Sequence, residues 1–338
     1  MKKISAIGVI TLNLCNLCFG QDIHFSQFSA SPSTLNPATT AVFNGMFRIT
    51  GNYKDQWRSI AFPYKTLSGS YDMHIFREVI SKGSIGFGIS FVSDKAGDLN
   101  FGTTQVNLSL AANKSVDKNN NFSLGLQSGF AQRGVDYTNE EWDSQWDAGT
   151  STFDESGLKE TGITNSLYYG DFACGLLWNY TSNPIDAHLG VALFHLNRPN
   201  QSLYQDLEKL YSKMVFHGGT KINVKNMNVS FLPQVLVLVQ GPSQEVNAGA
   251  LIKYLLQEGS KYTGQIDETA VYFGGWYRFS DSFIVNFRFD YKNFSVGVSY
   301  DINISQLTAA SSSRGGCEFS LMYTHPVKAM KQVRRSLM

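Results

Sequence analysis

Residues 283–300 read Phe-Ile-Val-Asn-Phe-Arg-Phe-Asp-Tyr-Lys-Asn-Phe-Ser-Val-Gly-Val-Ser-Tyr, and this stretch decides the fold class. Large apolar side chains recur at every second residue on both sides of Lys292-Asn293, which is the period of a β-strand. Most of the residues between them are Asn, Arg, Asp, Ser or Gly. The stretch therefore predicts a β-hairpin with one apolar face and one small or polar face.

The same alternation recurs through the rest of the chain, for example over 85–91, 106–112, 122–126 and 172–180. The second face carries Gly, Ser, Asn and Gln, where a soluble sandwich usually places charged residues. A transmembrane β-barrel turns its apolar face outward and a small, polar face toward the lumen. The pattern therefore favours such a barrel over a soluble all-β protein.

We predict an all-β, antiparallel transmembrane barrel of about 14 strands, most of them about ten residues long, as a tilted membrane strand requires. The predicted strands are 46–54, 65–75, 83–93, 104–114, 121–133, 166–180, 186–196, 213–224, 228–239, 246–257, 270–279, 282–291, 293–301 and 316–324. An even number allows both termini to lie on the periplasmic side. The long connections 134–165, 197–212 and 302–315 then fall on the extracellular side.

Strand ends and strand faces give three further predictions. Aromatic residues near strand ends predict the girdles at the two membrane interfaces. They are Tyr53, Trp57, Trp178, Tyr180, Trp276, Tyr277, Tyr291, Tyr300 and Tyr323. Charge on the lumen face is predicted to be sparse, limited to Arg48, Asp171, Arg288 and Asp290. Residues 235–239 are apolar on both faces, and we interpret them as packing against something inside the lumen.

The composition excludes several classes of protein. Charged residues are 16% of the chain and aromatic residues 13%, with 24 Phe, which argues against disorder. A net charge of +1 argues against a charge-driven nucleic-acid binder. Past the N-terminus no apolar run approaches the ~18 residues of a transmembrane helix. No catalytic, metal-binding or phosphate-binding spacing is present, so we predict no enzymatic activity and no cofactor.

The first 20 residues predict a signal peptide. Lys2 and Lys3 precede an apolar stretch, and Cys18-Phe19-Gly20 offers small residues at −3 and −1 of a cleavage site before Gln21. Lipidation at Cys15 or Cys18 is a weaker alternative, because leucine precedes each cysteine where a small residue is needed. The predicted organisation is a signal peptide 1–20, an extended N-terminal segment 21–45, a barrel 46–324 and a basic periplasmic tail 325–338.

Ordered blocks of sequence span the mature chain. They are Gln21–Phe28, Ser31-Pro32, Leu35–Ala38, Tyr53–Trp57, Phe62-Pro63, Ser68–Asp72, Tyr291–Gly297, Ser299–Ser305, Ala309–Ser311 and Arg314–Phe319. In this order they resemble the PorP/SprF family of type IX secretion system membrane proteins. The signature residues of the resemblance are Asn36, Pro37, Asp55, Gln56, Trp57, Pro63, Asp301, Arg314 and Gly315. Cys317, where an aromatic is more usual, and the chain beyond Tyr323 depart from the family pattern.

The resemblance implies an outer-membrane β-barrel that works with the type IX secretion apparatus. It implies a role in the secretion or surface attachment of a large adhesin with a C-terminal secretion signal, or in gliding motility. It also implies contacts with other components, including the periplasmic ring, and with outer-membrane lipid. A diffusion porin for small solutes is the alternative, and the sparse lumen charge favours a plugged barrel over it.

Two segments are candidate sites. The 134–165 loop is acidic, and it is either a hydrated surface loop or a docking loop for the secreted partner. In the docking interpretation Trp142 and Trp146 are desolvated anchors, and Asp143 and Asp147 belong to the acidic rim. The block Asp55-Gln56-Trp57, with Pro63, follows the first strand, and we interpret it as a packed lumen plug that shapes the barrel.

The C-terminal tail carries four positive charges, Lys328, Lys331, Arg334 and Arg335. It is either a solvated periplasmic tail or a contact with acidic ring components or anionic lipid headgroups.

Overall fold

The structure is a computed structural model. It describes residues 22–58, 63–77, 83–97, 99–136, 146–147, 149–150, 152–153, 166–204, 206–259, 268–306 and 308–326. The strands in these ranges are β1 (Phe47–Gln56), β2 (Tyr64–Arg77), β3 (Gly83–Ala96), β4 (Phe101–Ser115), β5 (Asn120–Gly134), β6 (Trp146–Asp147), β7 (Thr152–Phe153), β8 (Ser166–Thr181), β9 (Ile185–Phe194), β10 (Lys213–Asn223), β11 (Val229–Gln240), β12 (Ser243–Gln257), β13 (Thr269–Arg278), β14 (Ser282–Tyr291), β15 (Phe294–Asn303) and β16 (Arg314–His325). Short helical turns cover Phe28–Ala30, Pro32–Leu35, Pro37–Thr39 and Thr308–Ser311.

All the strands except β6 and β7 form one closed antiparallel barrel of 14 strands, which confirms the predicted fold class. β6 and β7 pair only with each other, and β5 pairs directly with β8 across them. The barrel closes where β1 pairs with β16, in a register from Phe47↔His325 to Gln56↔Gly316. Closure leaves the barrel without an edge strand, as a sheet in lipid requires.

β4 illustrates how the alternation sorts side chains between the two faces of the wall. Leu108 is 51% exposed on the outside of the barrel, and its neighbour Ser109 is 7% exposed on the inside. Val106 and Leu110 share the outer face with Leu108. The outer surface of the barrel is therefore apolar and faces lipid.

One sector of the lumen is apolar and forms the core of the molecule. Val215, Leu236, Leu251 and Ile284 point into it from their strands and cluster with Phe28. Leu238, two residues beyond Leu236 on the same face of β11, packs against the same cluster. This explains why residues 235–239 are apolar on both faces: one face meets lipid and the other meets the core.

Trp276 corrects one prediction. It was expected in an interfacial aromatic girdle, but it is 1% exposed and belongs to the lumen core. Its ring meets that of Phe28 edge-on, with the centroids 5.7 Å apart. Alternate residues of β13 face the lumen, and Trp276 is one of them. Its place in the alternation decides its position here, and the general preference of tryptophan for an interface does not.

The prediction of a sparsely charged lumen is wrong. Lys54, Glu245, Arg278 and Glu318 are also buried on the inner face. They are tolerated because they lie near opposite charges: Arg278 Nη2 lies 3.3 Å from Asp301 Oδ2, and Arg278 Nε lies 3.4 Å from Glu245 Oε1. Buried charges persist in proteins when opposite charges lie beside them in this way.

The barrel has two distinguishable ends. β1 begins and β16 ends at the first, which we call the tail end. The two longest connections, 135–165 and 195–212, lie at the other, which we call the loop end, together with 304–313. Among the described residues, no helix is both long and apolar enough to cross a membrane.

Candidate functional site

Residues 22–46, which we call the lumen segment, run through the barrel from the loop end to the tail end. The N–H of Asp22 donates to Gln240 Oε1 at 3.0 Å, where β11 reaches the loop end. The N–H of Met46 donates to the carbonyl of His325 at 2.7 Å, where β16 reaches the tail end. Both termini were expected on one side. The wall does begin and end on one side, but the lumen segment carries Asp22 to the opposite mouth.

Four charged side chains hold the start of the lumen segment, and we call them the loop-end anchor. The Asp22 carboxylate forms an ion pair with Lys213 Nζ, and its Oδ2 lies 3.1 Å from His195 Nε2. Asp171 Oδ1 lies 3.0 Å from the other ring nitrogen, His195 Nδ1. Both nitrogens of the imidazole therefore face carboxylates, an arrangement that favours the protonated ring because each N–H then has an acceptor.

The loop-end anchor shifts the protonation of two of its members. Burial alone would lower the pKa of His195, but Asp22 and Asp171 outweigh it and raise the pKa to about 9. Burial alone would raise the pKa of Asp22, but Lys213 and His195 hold that pKa well below its ordinary value. At neutral pH the Asp22 carboxylate is therefore ionised and the His195 ring is protonated, so opposite charges face each other in the anchor.

Glu318, on the inner face of β16, binds the backbone of the lumen segment at two successive residues. Its Oε2 accepts from the N–H of Ser26 at 2.7 Å, and its Oε1 accepts from the N–H of Gln27 at 3.0 Å. Gln27 Nε2 donates in return to the Glu318 carbonyl at 3.0 Å. One carboxylate thus satisfies two buried backbone donors.

The signature residue Asp301 lies beside Glu318 and bonds to the same turn. Ser26 Oγ donates to Asp301 Oδ2 at 2.7 Å and accepts from Arg278 Nη2 at 2.8 Å. Asp301 therefore connects the lumen segment to the wall, through a serine hydroxyl that it shares with Arg278.

Asn36 and Pro37, two further signature residues, shape a tight turn in the lumen segment. Asn36 Oδ1 accepts from the N–H of Ala38 at 2.8 Å and so caps the turn Pro37–Thr39. Proline suits the first position of such a turn, because its missing N–H would have no partner there. Asn36 Nδ2 donates to the carbonyl of Leu176 at 3.0 Å and lies 3.1 Å from His217 Nε2.

The turn fits into a notch of the wall made by two glycines. A Cβ at Gly175 would collide with Asn36 Oδ1, and a Cβ at Gly125 would collide with the backbone of Pro37 and Ala38. Glycine fits both positions because the lumen segment comes too close for a side chain, through the Asn36 side chain at Gly175 and through the backbone at Gly125.

A second anchor holds the lumen segment near the tail end. Arg48 and Asp72 form a bidentate pair, with Nη2···Oδ2 at 2.7 Å and Nε···Oδ1 at 3.0 Å. Asp72 Oδ2 also accepts from the N–H of Ala41 at 2.8 Å, and Arg48 Nη2 donates to the carbonyl of Thr39 at 3.2 Å. The pair therefore binds two main-chain groups of the lumen segment as well as each other.

The predicted partner-binding residues lie in the connection between β5 and β8, at the loop end. Trp146 is in the small hairpin, opposite Phe153, and is exposed. Asp147 is the second residue of β6. Trp142 and Asp143 lie outside the described residues.

The signature block that we interpreted as a lumen plug lies instead at the rim of the wall. Asp55 and Gln56 are the last residues of β1, and the Asp55 carboxylate pairs with Arg58. The N–H of Trp57 donates to the carbonyl of Gly315 at 2.9 Å, which ties the start of the β1–β2 connection to β16. Pro63 precedes β2, and Arg314 is exposed at the start of β16.

Sequence reasoning missed most of the charged residues that hold the lumen segment. Glu318 and Arg278 stand at inward positions of strands that were predicted correctly, so strand parity could have identified them as lumen residues. Asp22 and His195 lie outside strands, and nothing in the local sequence indicates that they meet.

A comparison with protein-family models matches residues 17–323 to the family described as Type IX secretion system membrane protein PorP/SprF. The chain belongs to the PorP/SprF family. The comparison with curated proteins returned no match. This PorP/SprF protein is therefore a type IX secretion system membrane component, and its 14-stranded closed barrel is that of an outer-membrane protein. Membership of the system implies contacts with other secretion components and with cargo.

Several solved structures are similar in fold. The Ralstonia pickettii toluene transporter TbuX is 10% identical over 90% of this chain and 96% of its own, with a TM-score of 0.47. A Pseudomonas aeruginosa FadL homologue is 12% identical over 88% and 94%, with a TM-score of 0.45. BamA from Haemophilus ducreyi lacking POTRA domains 1–3 is 12% identical over 83% and 70%, with a TM-score of 0.42. The likeness to these proteins extends to the fold alone.

Proposed function

We propose that this PorP/SprF protein is a non-enzymatic accessory barrel of type IX secretion. It assists the secretion or surface attachment of a large, adhesin-like partner that carries a type IX C-terminal signal, and it supports gliding motility. The family match supports the secretion role. The observation that favours an accessory barrel over a channel is the lumen segment, which is bound to the wall by buried charges at both ends.

The lumen segment supports a plugged barrel over the alternative function, a diffusion porin, which needs a water-filled passage. In planar bilayers the purified full chain should show no large, stable unit conductance. A variant that lacks residues 22–45 should conduct, once heat-modifiable migration on a gel has shown that it folds. A large conductance from the unaltered chain would favour the porin.

The proposal includes an orientation in which the loop end faces the cell exterior and the tail end faces the periplasm. Outer-membrane barrels have short periplasmic turns and longer extracellular loops, and the two longest connections, 135–165 and 195–212, share the loop end. The signal peptide 1–20 would be removed on the way to the membrane. The basic residues of the tail 325–338 would then lie in the periplasm, near the periplasmic ring and anionic headgroups.

The acidic connection 135–165 is the proposed docking site for the secreted partner, with Trp142 and Trp146 as anchors. Truncation of an interface tryptophan typically costs about 2 kcal/mol or more of binding. In cells that depend on the variant chain, Trp142→Ala with Trp146→Ala should sharply reduce the partner on the cell surface, measured by mass spectrometry of shaved surface proteins. The same double variant with Asp143→Asn and Asp147→Asn should weaken display further if the acidic rim contributes.

A matched control lies in the neighbouring loop-end connection 195–212, where Tyr204 is 60% and Leu207 is 83% exposed. Tyr204→Ala with Leu207→Ala removes comparable apolar surface from the same end and should leave display unchanged. If both double variants reduce display equally, or if neither does, the docking role does not belong to the 135–165 connection.

A further inference from the structure

The outer wall carries an apolar hollow of about 610 Å³, which we call the wall groove. It crosses the lipid-facing sides of β5, β8, β9, β10 and β11, and Leu124, Leu176 and Leu189 are among its lining residues. Lys114, near the tail end of β4, also lines it. The apolar wall therefore has a concave site with a cation at its edge.

Gly218 interrupts the outer row of β10 within the groove, and the Leu189 side chain of β9 leans over it. A Cβ at Gly218 would approach Leu189 Cδ2 to 2.7 Å, so the missing side chain would have pointed outward, into the groove. Phe216 lines the groove on the same strand, two residues before the glycine.

The floor of the groove is braced from the lumen. Leu176 and Val191 line the groove with their side chains, and their carbonyls accept from Asn36 Nδ2 at 3.0 and 3.4 Å on the inner side of the wall. The strands beneath the groove are therefore fixed by the lumen segment. Because the floor is ordered before a ligand binds, binding does not include the entropic cost of ordering those strands.

The groove runs from the tail-end membrane interface toward the middle of the membrane. Lys114 is the last residue but one of β4, and Trp178 lies three residues before the end of β8. Val235 and Val237, at the opposite edge, lie six and eight residues into β11. At about 3.3 Å per residue and a tilt of about 35–45°, that is roughly 15–20 Å from the tail end.

We propose that the wall groove binds one acyl chain of a phospholipid from the periplasmic leaflet, with its phosphate on Lys114. The direction of the groove rests on the orientation proposed above. An acyl chain reaches from the interface to about half of a ~30 Å hydrocarbon core, which matches the length of the groove. Lysine and tryptophan occupy the end where a headgroup would lie, and Trp178 is held there by a 2.9 Å hydrogen bond from Nε1 to Asn120 Oδ1. A protein segment would have no reason to need a cation at one end only.

The test is phospholipid retention by the full chain, purified from outer membranes in a mild detergent and washed. Native mass spectrometry and a phosphorus assay should find about one phospholipid per barrel, because the wall groove holds one lipid. Val235→Trp fills the groove and should reduce retention at least about fivefold. Val298→Trp, an outward valine on the opposite side of the barrel, is the matched control and should retain the lipid. Equal retention by these two variants would overturn the site.

A second pair of variants tests whether Lys114 binds the phosphate of the headgroup. A basic residue near the surface contributes about 1 kcal/mol to the binding of an anionic headgroup, so Lys114→Gln should weaken retention about fivefold. Lys118→Gln removes the same charge from the adjacent turn, outside the groove, and should have no effect. Equal effects of the two would overturn the role of Lys114. Lipopolysaccharide in place of phospholipid would overturn the orientation, and it would leave the secretion role of the protein untouched.

Discussion

Asp72 shows how much of the internal organisation can depend on one side chain. Its carboxylate accepts two hydrogen bonds from Arg48 and one from the N–H of Ala41 in the lumen segment. All three donors are buried, so none of them can turn to water if the carboxylate is lost. The carboxylate therefore keeps a charge and a backbone donor satisfied at the same time.

Replacing Asp72 by Asn should destabilise the folded barrel by about 3–5 kcal/mol, because Arg48 remains buried without its counter-ion. Urea-induced unfolding of the protein in lipid vesicles measures this loss. Asp186→Asn is the control: Asp186 Oδ2 is 3.9 Å from Lys221 Nζ in a more exposed pair, so its loss should cost about 0–1 kcal/mol. Equal losses for the two variants would contradict the role given to the buried pair.

His195 makes the loop-end anchor sensitive to pH. The pKa of His195 in the folded protein is raised to about 9 by Asp22 and Asp171, from an ordinary value of 6.5. A raised pKa stabilises the folded state fully below pH 6.5, and this stabilisation is lost as the pH rises through 9. At about 1.4 kcal/mol per pKa unit, the upper limit is about 3 kcal/mol.

The temperature at which the barrel loses its heat-modifiable gel mobility should therefore fall between pH 6.5 and pH 9. His195→Gln should abolish most of this dependence, because glutamine does not titrate. His325→Gln removes a histidine at the opposite end of the barrel and should leave the dependence in place. A pH dependence that survives in His195→Gln would show that another group is responsible.

At the scale of the strand, the two-residue period was enough to predict the barrel, but it did not predict what fills the barrel. The alternation of β4 or β15 depends only on neighbours in sequence, so it can be read directly. The bond between Ser26 and Glu318 joins residues 292 positions apart, and no local period contains that information. The route of the lumen segment therefore had to come from the structure.

Two residues were placed wrongly by the sequence analysis, although the two-residue period of their strands predicts the correct face. Trp276 shares its face with Gly274 and Arg278, so parity alone places it inside the barrel. The general preference of tryptophan for interfaces led to the wrong prediction. Glu318 lies between the outward-facing Cys317 and Phe319 and shares the lumen face with Ser320. Its charge should likewise have been predicted to lie in the lumen. In both cases a statistical preference of the residue type was weaker than the geometry of the strand.

The same geometry predicts the cost of a charge on the outer face. Leu108 is near the middle of β4 and points outward, so Leu108→Arg should destabilise the folded barrel in lipid by about 2–4 kcal/mol. Phe122 also points outward, but it is the third residue of β5 and lies near the interface. Phe122→Arg should therefore cost about 0–1 kcal/mol. Unfolding in vesicles measures both. A negligible cost at Leu108 would mean that this face of β4 does not meet lipid.

At the scale of the whole molecule, the lumen segment separates two ends that the wall brings together. An even-stranded barrel starts and finishes at the same end, here the tail end. The lumen segment then spans the full height of the lumen before the first strand begins, so Asp22 lies at the loop end. With the loop end outside, the start of the segment is at the cell surface and the tail 325–338 is in the periplasm.

An epitope tag inserted after residue 21 should therefore be reached by antibody on intact cells, whereas the same tag after residue 326 should be reached only once the outer membrane is permeabilised. A tag at Leu207, which is 83% exposed in a loop-end connection, is the positive control for the surface. A second measurement avoids the bulk of a tag: with Cys174 and Cys317 replaced by Ser, a cysteine at Asn44, exposed at the tail end, should react with an impermeant maleimide only after permeabilisation. If the tag after residue 21 is protected on intact cells while the tag at Leu207 is reached, the lumen segment does not run from the outer mouth to the periplasm. If both the tail tag and the Asn44 cysteine react on intact cells, the barrel is oriented the other way.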